Sequence, residues 1–539
     1  MSVLMEKPEN DVNSIRKYQA GSEERELLLA AIEELKHNPV EVPLIINGVE
    51  VRTGTIETTI CPHDHALTLA RVCLAGEVEM QEAVDAAINA QPAWADMDWY
   101  HRLAIFRKAA DIMAGPRRLE CIVTIMLNMS KTPYEAEIDL AEMVDFWRFN
   151  AYYLQQIIKH QPDQYGGESD RFDWRPLEGF VMAIPPFNFF SIGGNLPTAP
   201  AMAGNVVIWK PAPQVYFSNY KIMQILLEAG LPPGVINFLP FPEENSGILF
   251  EHEQFAGLNF TGGHDTLIKL WTMIGANVGK YRNFPRVVGE CGGKDFIFVH
   301  GSANLQHVAA NIIRGAFEYQ GQKCSAASRA YIPESMWDAL KGILLEQLSH
   351  FKTCPTEDLE CAVGALIDAA AFQKVVGYLE FARQHPEDYE FVCGGTYDET
   401  YGWFVDPAII LSKDPRGKLM QEEIFGPVLT VYVYPDAEYA DTLSLCNSTS
   451  PYGLTGAIFA TDRTAIAQAE RALRFAAGNL YINDKPTGAV VGRQPFGGGR
   501  ASGTNDKAGS FLNMLRWLSP RAIKEALLPA TDWRRPHVM

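Results

Sequence analysis

Phe180-Val181-Met182-Ala183-Ile184, Asn205-Val206-Val207-Ile208-Trp209, Val235-Ile236-Asn237-Phe238-Leu239 and Gly257-Leu258-Asn259-Phe260 are short runs of β-branched and apolar residues along one stretch of chain. Each has the length of a buried strand. Between the second and third, Ile222, Ile225, Leu226 and Ala229 share one helical face, and Gly230-Leu231-Pro232-Pro233 stops that helix. Strand alternating with helix predicts a parallel sheet covered on both faces, so the expected fold class is α/β with a doubly wound sheet. Sheets of this kind take their ligands beyond the carboxyl ends of their strands.

Outward from this core the pattern continues. After Phe260 the chain reads Thr261-Gly262-Gly263-His264-Asp265-Thr266 and then a helical Leu267 to Ile274. A helix start of this form can hold a pyrophosphate on its N–H groups. Without the six-residue glycine fingerprint, a plain strand-to-helix turn stays open as the other meaning. A second α/β stretch runs from Phe296-Ile297-Phe298-Val299 to about Ile482, with helices near 303–319, 334–350 and 463–477, and is long enough to be its own domain. Upstream, helical patterns cover 80–91 and 102–114. Leu140, Val144, Trp147, Ala151, Leu154 and Ile158 form one stripe for packing on a core or a subunit. Residues 160–178 read as a loop. The tail from 511 to 539, with Leu512, Leu515 and Trp517 as apolar anchors, is expected to dock, with another subunit as the expected partner.

The chain has 539 residues, 47% hydrophobic and 21% charged, which at ~150 residues per domain predicts about three globular domains. With 46 Lys plus Arg against 65 Asp plus Glu and no basic block, nucleic acid is not an expected partner. No apolar run is long enough for a membrane span. The opening residues match neither a signal nor a transit peptide, so a cytoplasmic protein is expected, with the mitochondrial matrix as the alternative in a eukaryote. Nine cysteines without Cys-x-x-Cys or histidines at zinc spacing predict reduced thiols and no metal site.

Three segments hold more than packing demands: Pro185-Pro186-Phe187-Asn188-Phe189, Gly289-Glu290-Cys291-Gly292-Gly293-Lys294 and Gly321-Gln322-Lys323-Cys324-Ser325-Ala326. Separately, Asn188 can be a turn former, Glu290 a solvated carboxylate and Cys324 a loop thiol. Together they offer an amide donor, a base and a nucleophile, the inventory for covalent chemistry at a carbonyl.

With these, Trp209-Lys210-Pro211, Phe260-Thr261-Gly262, Glu422-Glu423-Ile424-Phe425-Gly426-Pro427 and Pro495-Phe496-Gly497-Gly498 complete an ordered set that resembles the aldehyde dehydrogenase superfamily from about residue 45 onward. Gly488-Ala489-Val490-Val491-Gly492-Arg493 and Thr504-Asn505-Asp506-Lys507 resemble its 1-pyrroline-5-carboxylate dehydrogenase branch, in the single-function form. The resemblance implies a cofactor domain from 1–157, 179–293 and 493–510, a catalytic domain 294–492, and an oligomerisation element from 158–178 and 511–539. It implies a homodimer or higher homo-oligomer acting on a small molecule: NAD-dependent oxidation of L-glutamate γ-semialdehyde to glutamate, in proline breakdown. By the same resemblance Cys324 is the nucleophile, Glu290 the base for hydrolysis, and Asn188 with the Cys324 N–H the oxyanion donors. The NAD residues are Pro185, Lys210, Gly262, Gly263, Thr266, Glu423 and Phe425. Ser325, Gly488 and Ala489 clamp the substrate carboxylate, with Phe189 and Phe496 as walls. Two positions depart from the pattern. Pro213 stands where many relatives have an acidic residue for the adenosine ribose, which weakens discrimination against NADP. Ala489 stands where a Ser is common in the branch. The rival readings are a different semialdehyde dehydrogenase, such as one for succinate semialdehyde, and a non-catalytic structural member of the fold.

Overall fold

The computed structural model describes residues 5–538, and two seven-stranded sheets organise them. The first runs in the order Arg286–Cys291, Phe255–Gly262, Phe180–Ile184, Val206–Trp209, Ile236–Phe238, Leu44–Ile46, Val49–Val51. Its first five strands are parallel, and the Leu44–Val51 hairpin closes the edge antiparallel. From the central Phe180–Ile184 the chain first builds one side of the sheet and then crosses to the other. The carboxyl ends of Phe180–Ile184 and Phe255–Gly262 therefore flank a topological switch point, where helix starts diverge and leave a crevice.

The second sheet has the order Tyr389–Cys393, Ala408–Ser412, Val428–Tyr434, Ala327–Pro333, Asp295–Val299, Thr455–Phe459, Asn479–Ile482. It is parallel except at the Tyr389–Cys393 edge. Asp295 opens the fifth strand of this sheet only four residues after Cys291 ends the first sheet's edge strand, so the Gly292-Gly293-Lys294 link holds the two sheets together.

The stripe beginning at Leu140 lies on the helix Pro133–Lys159. Thr132 accepts from the Glu135 N–H while the Glu135 carboxylate returns to the Thr132 N–H, and Pro133 occupies the first turn where no partner for its nitrogen is needed. Leu140, Val144, Trp147, Ala151 and Leu154 are fully buried in the chain's own core, against the helices Trp99–Ala114 and Phe190–Met202. The packing partner is the core, not a subunit.

Two expectations change. Residues 160–178 contain a strand, Glu168–Arg175, paired antiparallel with Ser519–Ala526 near the other end of the chain. Its side chains are half-buried or exposed on both faces, so no apolar period marks it in the sequence. In the tail, Trp517 and Met514 are buried in this chain's own core, whereas Leu512 and Leu515 stay exposed on the helix Phe511–Arg516. No helix among the described residues is long and apolar enough to cross a membrane.

A small sheet of Val40–Val42, Ile56–Cys61 and Asp64–Cys73 reaches the second half of the chain through a buried ion pair. His63 Nε2 lies 2.8 Å from Glu357 Oε2, its Nδ1 2.9 Å from Ser130 Oγ, and Lys36 Nζ 2.9 Å from Glu357. Burial opposes the charge on His63, but Cys61 and Glu357 beside it raise the imidazole from 6.5 to about 10. Burial likewise opposes the charge on Glu357, and His63 and Lys36 overcome it, lowering the carboxyl from 4.5 to about 2. The histidine's raised value makes its contribution full below about 6.5 and lost as pH climbs toward 10. The carboxylate's lowered value makes its contribution full above about 4.5 and lost as pH falls toward 2. The pair therefore stabilises most between those inner limits. His63→Ala should cost about 3 to 5 kcal/mol in urea unfolding at about pH 5.5, with the deficit shrinking as pH rises toward 10. A deficit independent of pH would contradict this account.

Candidate active site

Cys324 is presented by a turn that several distant groups hold in an unusual shape. Tyr319, Gln320 and Gly321 have φ of 52°, 54° and 65°, three successive left-handed residues just ahead of the thiol. Such backbone is costly for residues with a Cβ and persists only when its surroundings over-determine it. Here the Tyr319 N–H donates to Glu135 at 2.5 Å, and Gln320 Nε2 donates to the carbonyls of Ser130 and Ala365 at 2.9 and 2.8 Å. Gln322 Oε1 accepts from the Ile367 N–H at 3.0 Å. At Gly321 a Cβ would lie 2.3 Å from the Gly426 carbonyl oxygen, so only glycine closes the turn. Asn188 Nδ2 donates to the Gln322 carbonyl at 3.0 Å, which brings the amide of the first sheet against the thiol's turn.

A cavity of about 280 Å³ opens at this point. It lies where the ends of Phe255–Gly262 and Arg286–Cys291 meet the Cys324 turn, the long helix and the segment Thr487–Val491. Cys324, Glu290, Ser325, Gly488, Ala489, Phe189 and Phe496 all line it. Ser325 Oγ lies 2.8 Å from Thr487 Oγ1, and Gly488 takes φ +87°, a left-handed value suited to its missing Cβ. Phe189 stacks on Lys131 Nζ, 4.4 Å from the ring centre, and Lys131 pairs with Asp139 at 2.6 Å. The two Asp139 oxygens also accept the Phe190 and Ser191 N–H groups, so the wall beside the cavity is fixed from behind.

Burial sets the electrostatics. It pushes the Cys324 thiol well above its ordinary range, and the carboxyl groups of Asp295, Glu290, Glu423 and Glu142 push the same way. A sulfur raised in this way rests as a thiol, and a thiol becomes a nucleophile only on losing its proton. Burial also raises Glu290 well above the usual carboxylate range, against the Gly498 N–H that donates to it at 2.9 Å and the nearby Lys507. A carboxylate raised in this way is a stronger base near neutral pH than an ordinary one.

A groove of about 570 Å³ is lined by Gly263, His264, Asp265, Thr266, Lys374, Lys418 and Glu423. Gly262 ends its strand and Gly263 caps the helix His264–Asn277, whose first N–H groups suit a diphosphate together with the Lys374 and Lys418 cations. Glu423 accepts from the Gly293 N–H at 3.0 Å, and a Cβ on Gly292 would lie 1.8 Å from Glu423 Oε1. Glycine there lets the carboxylate cross the link between the sheets, placed to accept from sugar hydroxyls. Phe425, at φ +60°, meets Phe187 edge-on at 5.9 Å. Pro185 follows the central strand directly; Lys210 follows the next, its N–H donating to the Ala183 carbonyl and its ammonium 5.4 Å from the Phe241 ring centre. Pro213 starts a short turn just beyond.

The match to the aldehyde dehydrogenase family extends over residues 49–519. The chain belongs to that family. Mouse mitochondrial delta-1-pyrroline-5-carboxylate dehydrogenase is 47% identical over 520 residues, 96% of this chain and 92% of that protein. The human protein of the same name is 46% identical over 516 residues, 95% and 92% of the two chains. The crystal structure of the Mycobacterium tuberculosis delta-pyrroline-5-carboxylate dehydrogenase bound with NAD superposes with a TM-score of 0.95 at 45% identity, covering 100% of this chain and 99% of that one.

Sequence patterning missed several groups that this aldehyde dehydrogenase places in the cavity. Glu142 comes from the long helix, accepts from Ser191 Oγ at 2.9 Å, and is pushed up to about 8, chiefly by burial and then by Asp139. Lys323 and Arg314 both reach Glu318, at 3.0 and 3.4 Å, beside Lys485 and Thr487. Glu142 is one polar residue among many on its helix, and nothing local in the sequence distinguishes it. Lys323 and Thr487, next to Cys324 and Gly488, were within reach of the motif reading.

Proposed function

We propose that this aldehyde dehydrogenase oxidises L-glutamate γ-semialdehyde, the open form of 1-pyrroline-5-carboxylate, to L-glutamate with NAD as acceptor. One observation carries the reading: a single cavity is lined both by the buried thiol and base and by groups that suit the two charges of an amino acid. Ser325, Gly488 and Ala489 suit a carboxylate, Glu142 an ammonium, and Phe189 and Phe496 the methylenes between. The names of the mouse and human relatives and of the M. tuberculosis structure support the same substrate and cofactor.

In this mechanism the Cys324 thiol gives its proton to water, and Sγ attacks the aldehyde carbon. Asn188 Nδ2 and the Cys324 N–H stabilise the oxyanion of the thiohemiacetal, a contribution of about 3 to 4 kcal/mol for one such donor elsewhere. NAD, when bound, supplies the hydride acceptor that lets a thioester form. Pro185, Lys210, Gly262, Gly263, Thr266, Glu423 and Phe425 would hold it, the groove and its helix start matching a diphosphate and Glu423 a ribose. Glu290 then takes a proton from water, whose oxygen attacks the thioester and releases glutamate, returning sulfur as a thiol. The cytoplasm or the mitochondrial matrix is the compartment we assign, the mouse and human relatives being named mitochondrial. The paired strands Glu168–Arg175 and Ser519–Ala526, with exposed Leu527, Leu528 and Trp533 beyond, form a flap through which copies of the chain associate.

A grid of two substrates against two cofactors tests the reading. Glutamate semialdehyde with NAD should give the highest kcat/KM, at least ~10-fold above succinate semialdehyde, because an unfilled charge pocket costs more than 1.4 kcal/mol. Equal rates on the two would overturn the substrate assignment. With no carboxylate at Pro213 to repel a 2′-phosphate, NADP should be used measurably, more slowly than NAD.

A further inference from the structure

The loop that meets the substrate's carboxylate in the reading above is a turn closed by its own bonds, the Arg493 and Gln494 N–H groups donating to the Val490 carbonyl and the Val490 N–H to Gln494 Oε1, all at 3.0 Å. Gly488 and Gly492 bracket it, both in left-handed conformations at φ +87° and +81°. Between them Ala489, Val490 and Val491 line the cavity. A further set of bonds reaches it from the opposite end of the chain. Asn10 is 7% exposed, and its amide is used on every side. Its Nδ2 donates to the Val491 carbonyl at 2.8 Å and to Asp145 Oδ2 at 2.9 Å, and its Oδ1 accepts from Arg493 Nε at 3.0 Å. Arg493 also reaches Asn13 Oδ1 at 3.4 Å.

The arm carrying Asn10 is itself anchored to the long helix. The Asp11 N–H donates to Asp145 Oδ1 at 2.7 Å. The Asp11 carboxylate pairs with Arg118 at 2.8 Å and with Arg148 at 3.3 Å. Arg118 also pairs with the fully buried Glu137, which accepts from Tyr18 Oη at 2.6 Å. Val12, next along the arm, lines the cavity itself. Buried ionic anchors of this kind specify one arrangement more than they add net stability.

We propose that the N-terminal arm is part of the substrate site and that Asn10 is a positioning residue, setting the Gly488–Arg493 loop for the substrate's carboxylate. The inference rests on the substrate assignment made above. It needs no contact between Asn10 and substrate. The turn's own bonds shape it, and the bonds from Asn10 to Val491 and Arg493 fix where it sits against the cavity before binding, which removes an ordering cost from the affinity.

The test compares glutamate semialdehyde with butanal, which has the same reacting end and no carboxylate or ammonium. Asn10→Ala should raise KM for glutamate semialdehyde roughly 10-fold or more, with kcat within about twofold. Its kcat/KM for butanal should stay within about twofold of the unmutated protein. A merely structural defect would lower both substrates alike. Arg493→Leu removes the second tie from the loop side and should show the same selective rise; it is read by the same criterion if Asn10→Ala fails to fold. Equal losses on both substrates, or no change on either, would overturn the role of the arm. Unmutated protein that oxidises butanal but not glutamate semialdehyde would instead overturn the substrate reading, and this inference with it.

Discussion

Cys324→Ala is expected to abolish aldehyde oxidation, lowering kcat by roughly 10⁶-fold, the scale seen when a covalent nucleophile is removed from an otherwise intact site. The alanine leaves the turn's supports in place, since Gln320, Gln322 and Gly321 form its bonds and close contacts. Binding of NAD, measured by calorimetry, should be unchanged, because the groove of Gly263, Thr266 and Glu423 does not include the thiol. Loss of activity with intact cofactor binding assigns the sulfur to chemistry. Retained oxidation would remove it from that role.

Glu290→Gln is expected to divide the reaction. Acylation should still release about one NADH per site in a rapid burst, and turnover should then slow by roughly 10² to 10⁴-fold, the usual contribution of a positioned base. Because burial raises the Glu290 carboxyl well above its ordinary value, its base form grows only as pH rises past that higher value. The slow phase of the unmutated enzyme should therefore accelerate with pH through this ionisation, and the glutamine variant should lose that part of the profile. Stopped-flow NADH absorbance across pH reads both. A variant with no burst, or with unchanged steady turnover, would contradict the assignment of Glu290 to hydrolysis.

The parts of the site that were legible in the chain share one property: their neighbours in sequence constrain them. Gly321 precedes Cys324, and Gly292 and Gly293 follow Glu290, because backbone or a carboxylate approaches too closely there for a Cβ, and Gly488 precedes Ala489 because its backbone is left-handed at φ +87°. Glycine beside a nucleophile or acid is a local signal. Strands such as Phe180–Ile184 were legible for a similar reason, being buried on both faces and hence continuously apolar. The strand Glu168–Arg175 was hidden because its partner, Ser519–Ala526, comes from the other end of the chain and its faces are not buried.

By itself the order of residues determined the α/β rhythm of two sheets, the reduced state expected of the cysteines, and which thiol, acid and amide to watch. Only the tertiary structure decided that Glu142 of one helix, Lys323 of the thiol's turn and Thr487 of a late loop share a cavity, and that Asn10 ties down Val491. Periodicity and glycine spacing are written over a few residues, where local sterics act. A carboxylate's neighbour across a cavity, and the burial that raises its proton affinity, arise only when distant segments exclude water together.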